Sequence, residues 1–280
     1  MSLLRKLLKL DFQRLFNGVL FKLALGVCAI LGIWDLVLNV QAHNANMESL
    51  QTQTIAYSYP SSVYNSCISA DGLYLPSILL FSLFPLIVTL PAGISMATDI
   101  KNGYIKNLRV RKEQKKVILS RYISIFVGAF LLVMAATFGQ MVFSMMFLPT
   151  IAPEIASYTF PMMAVGQVGH SFYAVHPFWY LLLYNLYDAV YLAGIATLAL
   201  PFGWYTGNPF IALIGPTAVF YFTGFLFNTF SASQWEPSCI LPPYSDVYLS
   251  LPIMIIELCG LLAISVLLAV TCAVKKHDVF

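Results

Sequence analysis

Two carboxylic acids, Asp188 and Glu257, stand inside apolar runs of this sequence, with no lysine or arginine near either along the chain. A carboxyl placed in hydrocarbon is costly and marks a functional position by default, as a proton site or a receptor for a cation. At helical spacing Tyr184, Asp188 and Tyr191 fall on one face at i, i+4 and i+7, with Tyr180 and Tyr187 beside them. Two readings stay open. The stripe is either a hydrogen-bonded cluster packing one span against another, or a wet path that receives cationic or amphipathic cargo, with Glu257 contributed by a second helix. Asp35 lies near the end of its apolar run, an interfacial position.

Other chemistries lack their residues. A phosphate-cradling loop needs Gly directly before its Lys, and the dipeptide Gly-Lys does not occur in the sequence. Neither a His-Glu-x-x-His pattern nor a Gly-x-Ser-x-Gly elbow occurs, so zinc-protease and serine-hydrolase readings have no support. His43, His170, His176 and His277 show no pair at a metal-site spacing, and no cofactor site is expected in this chain. Cys28, Cys259 and Cys272 fall within apolar spans and read as small fillers. Cys67 and Cys239 fall one in each of two outer loops, where an oxidising compartment permits a bridge between them.

The elements that must position these residues follow from composition. The 280 residues are 59% hydrophobic and only 10% charged, whereas about a quarter of the residues of a soluble domain carry charge. The expected fold is an all-α integral membrane protein, one domain over 1–280, with six transmembrane helices. Their ranges are 18–40, 76–98, 122–148, 178–200, 209–230 and 248–274, each near the roughly 20 residues that a bilayer requires. Pro85 and Pro91 fall inside the second. A disordered tail, a nucleic-acid reader and a disulfide-dense secreted scaffold are excluded.

The 15 Lys and Arg fall in three clusters: five between Arg5 and Lys22, eight between Lys101 and Arg121, and Lys275 with Lys276. Basic segments are retained in the cytoplasm, so these clusters define one face and both termini are expected there. The turn 201–208 is placed inside by parity of crossings. Residues 41–75, 149–177 and 231–247 are outer elements free of bases. Residues 1–17 alternate Leu4, Leu7, Leu8, Phe12 and Leu15 with Arg5, Lys6 and Lys9, the pattern of an amphipathic helix lying at the interface. Asp11 falls on its apolar face, where pairing with Arg14 or a contact to another subunit would accommodate it.

The loop 99–121 reads Asp99-Ile-Lys-Asn-Gly103-Tyr104-Ile105-Lys106-Asn-Leu108-Arg109 and continues basic to Arg121. Gly103 can supply a sharp turn. Ile105 and Leu108 share a helical face able to enter a partner while Lys106 and Arg109 hold its acidic rim; a topology anchor would explain the charges alone. Asp99 to Leu108 resembles the first cytoplasmic loop of type-2 ABC exporter permeases, with Tyr104 where many members carry Thr. The six-span layout, N-terminal helix and Pro-rich element before the last span are similar to that family as well. The resemblance implies a permease subunit of an ABC exporter in a bacterial plasma membrane, with Asp99, Gly103, Tyr104, Ile105, Lys106, Leu108 and Arg109 docking a separate ATPase. It further implies two permeases, identical or sister chains, with ATP and Mg on the partner ATPases, no activity as an enzyme in this chain, and amphipathic or peptide-like cargo. Phe84, Leu90, Phe220, Phe222 and Phe225 on spans two and five are then candidates for the path, beside the alternative that they face lipid or core. Two other classes compete: an ion-driven secondary transporter with Asp188 and Glu257 as proton sites, and a non-transporting immunity or interaction protein. No inverted repeat supports the former.

Overall fold

The computed structural model describes residues 2–52, 62–102, 114–152, 167–244 and 247–274. Every regular element among them is helical: α1 (Ser2–Asn17), α2 (Val19–Gln51), α3 (Val63–Ser66), α4 (Leu75–Lys101) and α5 (Gln114–Met134). A π-helical turn (Ala135–Gly139) joins α5 to α6 (Gln140–Ser144), followed by α7 (His170–Val175), α8 (Pro177–Thr206) and α9 (Pro209–Thr229). A 3₁₀ turn (Ser233–Trp235), α10 (Pro237–Ile240) and α11 (Leu251–Val274) complete the order. Six of these stretches, carried by α2, α4, α5 with α6, α8, α9 and α11, are long and apolar enough to cross a membrane.

The six long apolar helices match the sequence reading in number, and several of their boundaries do not. Helix α2 runs on to Gln51 instead of ending at 40, because 41–51 contains good helix formers and neither Gly nor Pro. Helix α5 starts at Gln114, eight residues before the expected 122, so Lys115, Lys116 and Arg121 are helical and not loop. Helix α8 continues through Pro201 to Thr206. The turn expected over 201–208 shrinks to Gly207 and Asn208: Gly207 has φ 61°, a left-handed value that favours glycine, and Asn208 caps α9 by accepting from the Phe210 N–H at 3.0 Å.

Helix α8 is the centre of the bundle, packed against α4, α5, α9 and α11. Ala189, Ala193, Ala196 and Ala199 are fully buried along it, and small side chains of this kind let neighbouring helices approach without a hydrophobic driving force. A close backbone approach joins α4 to α9. Pro216 has no N–H and so leaves the Ala212 carbonyl without its helical donor. Gly93 sits against that carbonyl, and a Cβ there would lie 2.8 Å from the Ala212 oxygen. One turn earlier the Thr89 hydroxyl reaches the Leu213 carbonyl at 3.0 Å.

The described segments 62–74, 145–152, 167–176 and 230–244 cap one end of the bundle over a second apolar core that includes Val63, Cys67, Tyr173, Tyr180 and Ile240. Val63 N–H donates to the Pro149 carbonyl at 3.0 Å, Ser62 Oγ to the Ile151 carbonyl at 2.6 Å, and Tyr173 OH to the Tyr64 carbonyl at 3.0 Å. The π-helical turn directs Gln140 into this seam, where Oε1 accepts from the Ile68 N–H at 3.1 Å. The opposite end carries the charged side chains of Asp11, Arg14, Asp99 and Arg121. There α1 lies along α5, with Leu15 against Gly128, where a Cβ would meet the Leu15 side chain at 2.7 Å.

Candidate functional site

At the basic end, four charged side chains from three helices form one network. Arg121 on α5 bonds Asp11 of α1 through Nε at 3.2 Å and pairs through Nη2 with Asp99, in the last turn of α4. Asp99 also pairs with Arg14 Nη1 at 3.2 Å, and Ser120 Oγ donates to Asp11 at 2.5 Å. Arg121, Asp99 and Asp11 are largely shielded from solvent while the Arg14 side chain is about half exposed. Asp11 pairs with Arg121, and the carboxylate of Asp99, a residue expected at the docking surface, bonds both arginines. A cavity of about 240 Å³ opens beside the network, between α1, α4 and α5. Gly103, Tyr104, Ile105, Lys106, Leu108 and Arg109 lie outside the described residues.

The tyrosine stripe on α8 forms as spaced, and each hydroxyl has an assigned partner. Tyr180 donates to the Val168 carbonyl at 3.3 Å, Tyr184 to the Ile240 carbonyl at 2.7 Å and Tyr187 to the Met254 carbonyl at 3.2 Å. Tyr191 donates to Glu257 Oε1 at 2.9 Å. The stripe therefore pins α8 to the cap and to α11. Asp188 is fully buried among these rings, and neither of its oxygens has a hydrogen-bond partner among the described residues; the same holds for Glu257 Oε2. Neither acid lines either of the cavities at the two ends. The phenylalanine candidates divide likewise: Phe84 and Phe220 are buried, whereas Phe222 and Phe225 point away from the bundle and Leu90 is half-buried.

At the capped end a cavity of about 590 Å³ lies between α4, α9 and the two cap segments 65–73 and 238–244. Its walls include Phe81, Phe220, Tyr221, Tyr244 and Leu241, with Asp71 among the lining residues. Asp71 accepts from Asn39 Nδ2 at 3.0 Å and from the Leu73 N–H at 2.8 Å. Both donors are neutral. Asp35, expected near an interface, is instead fully buried with its carboxyl beside that of Asp71. Burial holds the phenols of Tyr74 and Tyr244 above their ordinary pKa, and the two acids add to that shift. Asp71 and Tyr244 escape sequence reading because 167 residues separate Ser77 from the Tyr244 hydroxyl that it meets.

Cys67 and Cys239, the pair for which the sequence permits a bridge, are held as separate thiols in this structure. Cys67 is fully buried with Sγ 3.5 Å from Ser69 Oγ, whereas Cys239 is half-buried on α10. No group of three His, Cys, Asp or Glu among the described residues could hold a metal ion. No family model, no curated protein and no solved structure matches the chain.

Proposed function

We propose that this chain is the membrane-spanning permease subunit of an ATP-binding cassette exporter in a bacterial plasma membrane, moving amphipathic or peptide-like cargo outward. A separate ATPase supplies the hydrolysis, with ATP and Mg bound there. Six helices long and apolar enough to cross a membrane, and bases confined to three segments of one polarity, support the multi-pass arrangement. The observation that carries the reading is the Asp99–Arg121 pair. It ties the end of α4 to the start of α5 at the two sides of the stretch that resembles an ATPase-docking loop. Force applied to residues 103–113 then passes into both helices, and through Asp11 into α1, instead of being lost in a slack loop.

Two permeases, identical or sister chains, would associate with two ATPase subunits, and closure of the ATPases would pull on the clamped helices. Copurification of an ATPase with the tagged full chain, with vanadate-sensitive ATP hydrolysis by the complex, is the expected result. Ile105→Asp and Leu108→Asp each release the ATPase while the permease still reaches the membrane. A full chain that purifies alone and supports no hydrolysis overturns the proposal. Asp188, buried with neither oxygen partnered among the described residues, favours one alternative, an ion-driven transporter; transport abolished by a protonophore and untouched by vanadate would select it.

A further inference from the structure

We propose that the cavity at the capped end is a binding site for an amphipathic organic cation, an alkylammonium group carrying an apolar arm, with Asp71 as its counter-ion. Its volume of about 590 Å³ suits a small organic molecule. The walls and the acid together define the chemistry. Phe81 and Tyr244 meet edge to face with centroids 5.9 Å apart, Phe220 and Tyr221 likewise at 5.2 Å, and all four line the cavity together with Asp71. Aromatic faces attract an alkylated ammonium and exclude water from it.

Charge balance excludes the other simple occupants. Every Lys and Arg of the sequence lies at residues 5–22, 101–121 or 275–276, so none lines this cavity, and Lys101 is the last residue of α4, 19 positions beyond Ser82 on the cavity wall. Asp71 is satisfied by neutral donors alone, and Asp35 behind it adds a second carboxyl without a base. An anion finds no partner here, and the phosphate of a zwitterionic lipid headgroup would meet none either. A hard metal ion finds too few oxygen ligands beside four aromatic rings. A cationic amine with an apolar body satisfies both halves of the site.

The site does not depend on a docked ATPase, so its failure and that of the exporter reading are separable. The test is calorimetric titration of the purified full chain in non-ionic detergent with 4-phenylbutylamine, protonated at neutral pH, and with the neutral 4-phenylbutanol. Saturable binding of the amine is expected, with the alcohol at least about tenfold weaker, since a hydrogen bond to a charged group contributes that much. Asp71→Asn keeps an acceptor for the Leu73 N–H and lowers amine affinity at least about tenfold. Ile78→Trp, at a half-exposed lining position, fills the cavity without touching the acid and abolishes binding; it decides the matter if Asp71→Asn does not fold. Equal affinity for amine and alcohol, unchanged affinity in either folded variant, or no saturable amine binding overturns the assignment. ATPase copurification is unaffected by Ile78→Trp.

Discussion

Asp99 and Arg121 are 22 residues apart in sequence and ion-paired inside the protein, where they close the base of the α4–α5 hairpin. Arg121 also holds Asp11, so the N-terminal helix is attached to the same point. A single guanidinium between two carboxylates, with a second arginine on the outside, suits a joint that must stay rigid while force passes through it. The fork geometry of arginine permits this, whereas a lysine ammonium would hold one carboxylate at a time.

Removing Arg121 leaves two shielded carboxylates facing each other. Arg121→Met is expected to destabilise the protein by about 3–5 kcal/mol, the cost of breaking a buried ion pair from one side. Arg14→Ala, at the half-exposed edge, costs about 0–1 kcal/mol. Thermal unfolding of the purified variants measures both, and equal losses would show that the network is not centred on Arg121. Combining Arg121→Met with Asp99→Asn and Asp11→Asn should recover much of the loss, because the uncompensated charges are gone.

Much of the bundle was legible because a span is written as a run of apolar residues, and each of the six runs needs no knowledge of its neighbours. The tyrosine spacing on α8 was legible for the same reason. What those tyrosines bond was not, since their partners are mostly backbone carbonyls, which every residue carries. The pairing of Asp11 with Arg121 depends on how α1 lies along α5, through contacts such as Leu15 on Gly128, and such register between helices leaves no periodic trace. The cavity at Asp71 is assembled from four separate stretches, so no local pattern announces it.

The α4–α9 contact gives a steric prediction. A Cβ at position 93 would lie 2.8 Å from the Ala212 oxygen and 2.9 Å from the Leu213 nitrogen, both backbone atoms that cannot swing aside. Gly93→Ala should therefore cost about 1–3 kcal/mol despite the better helix propensity of alanine. Gly260→Ala is the control, because a Cβ there meets nothing within 4 Å. Similar thermal midpoints for the two variants would mean that α4 and α9 do not pack this closely.

The orphan acid on α8 predicts an asymmetry. Tyr184→Phe removes the donor to the Ile240 carbonyl and is expected to cost about 1–3 kcal/mol, the desolvation left unrepaid. Asp188→Leu removes a buried carboxyl that has no partner among the described residues, so stability should hold or rise. Export assayed in parallel separates packing from function. A loss of transport with undiminished stability would give Asp188 a role in moving cargo, and a large fall in stability would show that its carboxyl is engaged.

Burial pushes the Cys67 thiol up to about 12 from an ordinary value near 9, so at pH 8 its thiolate is scarcer than that of an exposed cysteine by about a thousandfold. A thiol-directed maleimide should therefore spare Cys67 in the folded protein and modify it only after denaturation, while half-buried Cys239 reacts before it. Gel mobility should be the same with and without reductant, because no bridge joins the two. The sign of the pH effect on stability follows from the raised value. The unfolded chain loses this proton first, so the contribution of Cys67 is intact below about pH 9 and falls as pH rises toward 12. Cys67→Ala should remove that alkaline sensitivity, and an unchanged stability profile between pH 9 and 11 in the variant would show that another group sets it.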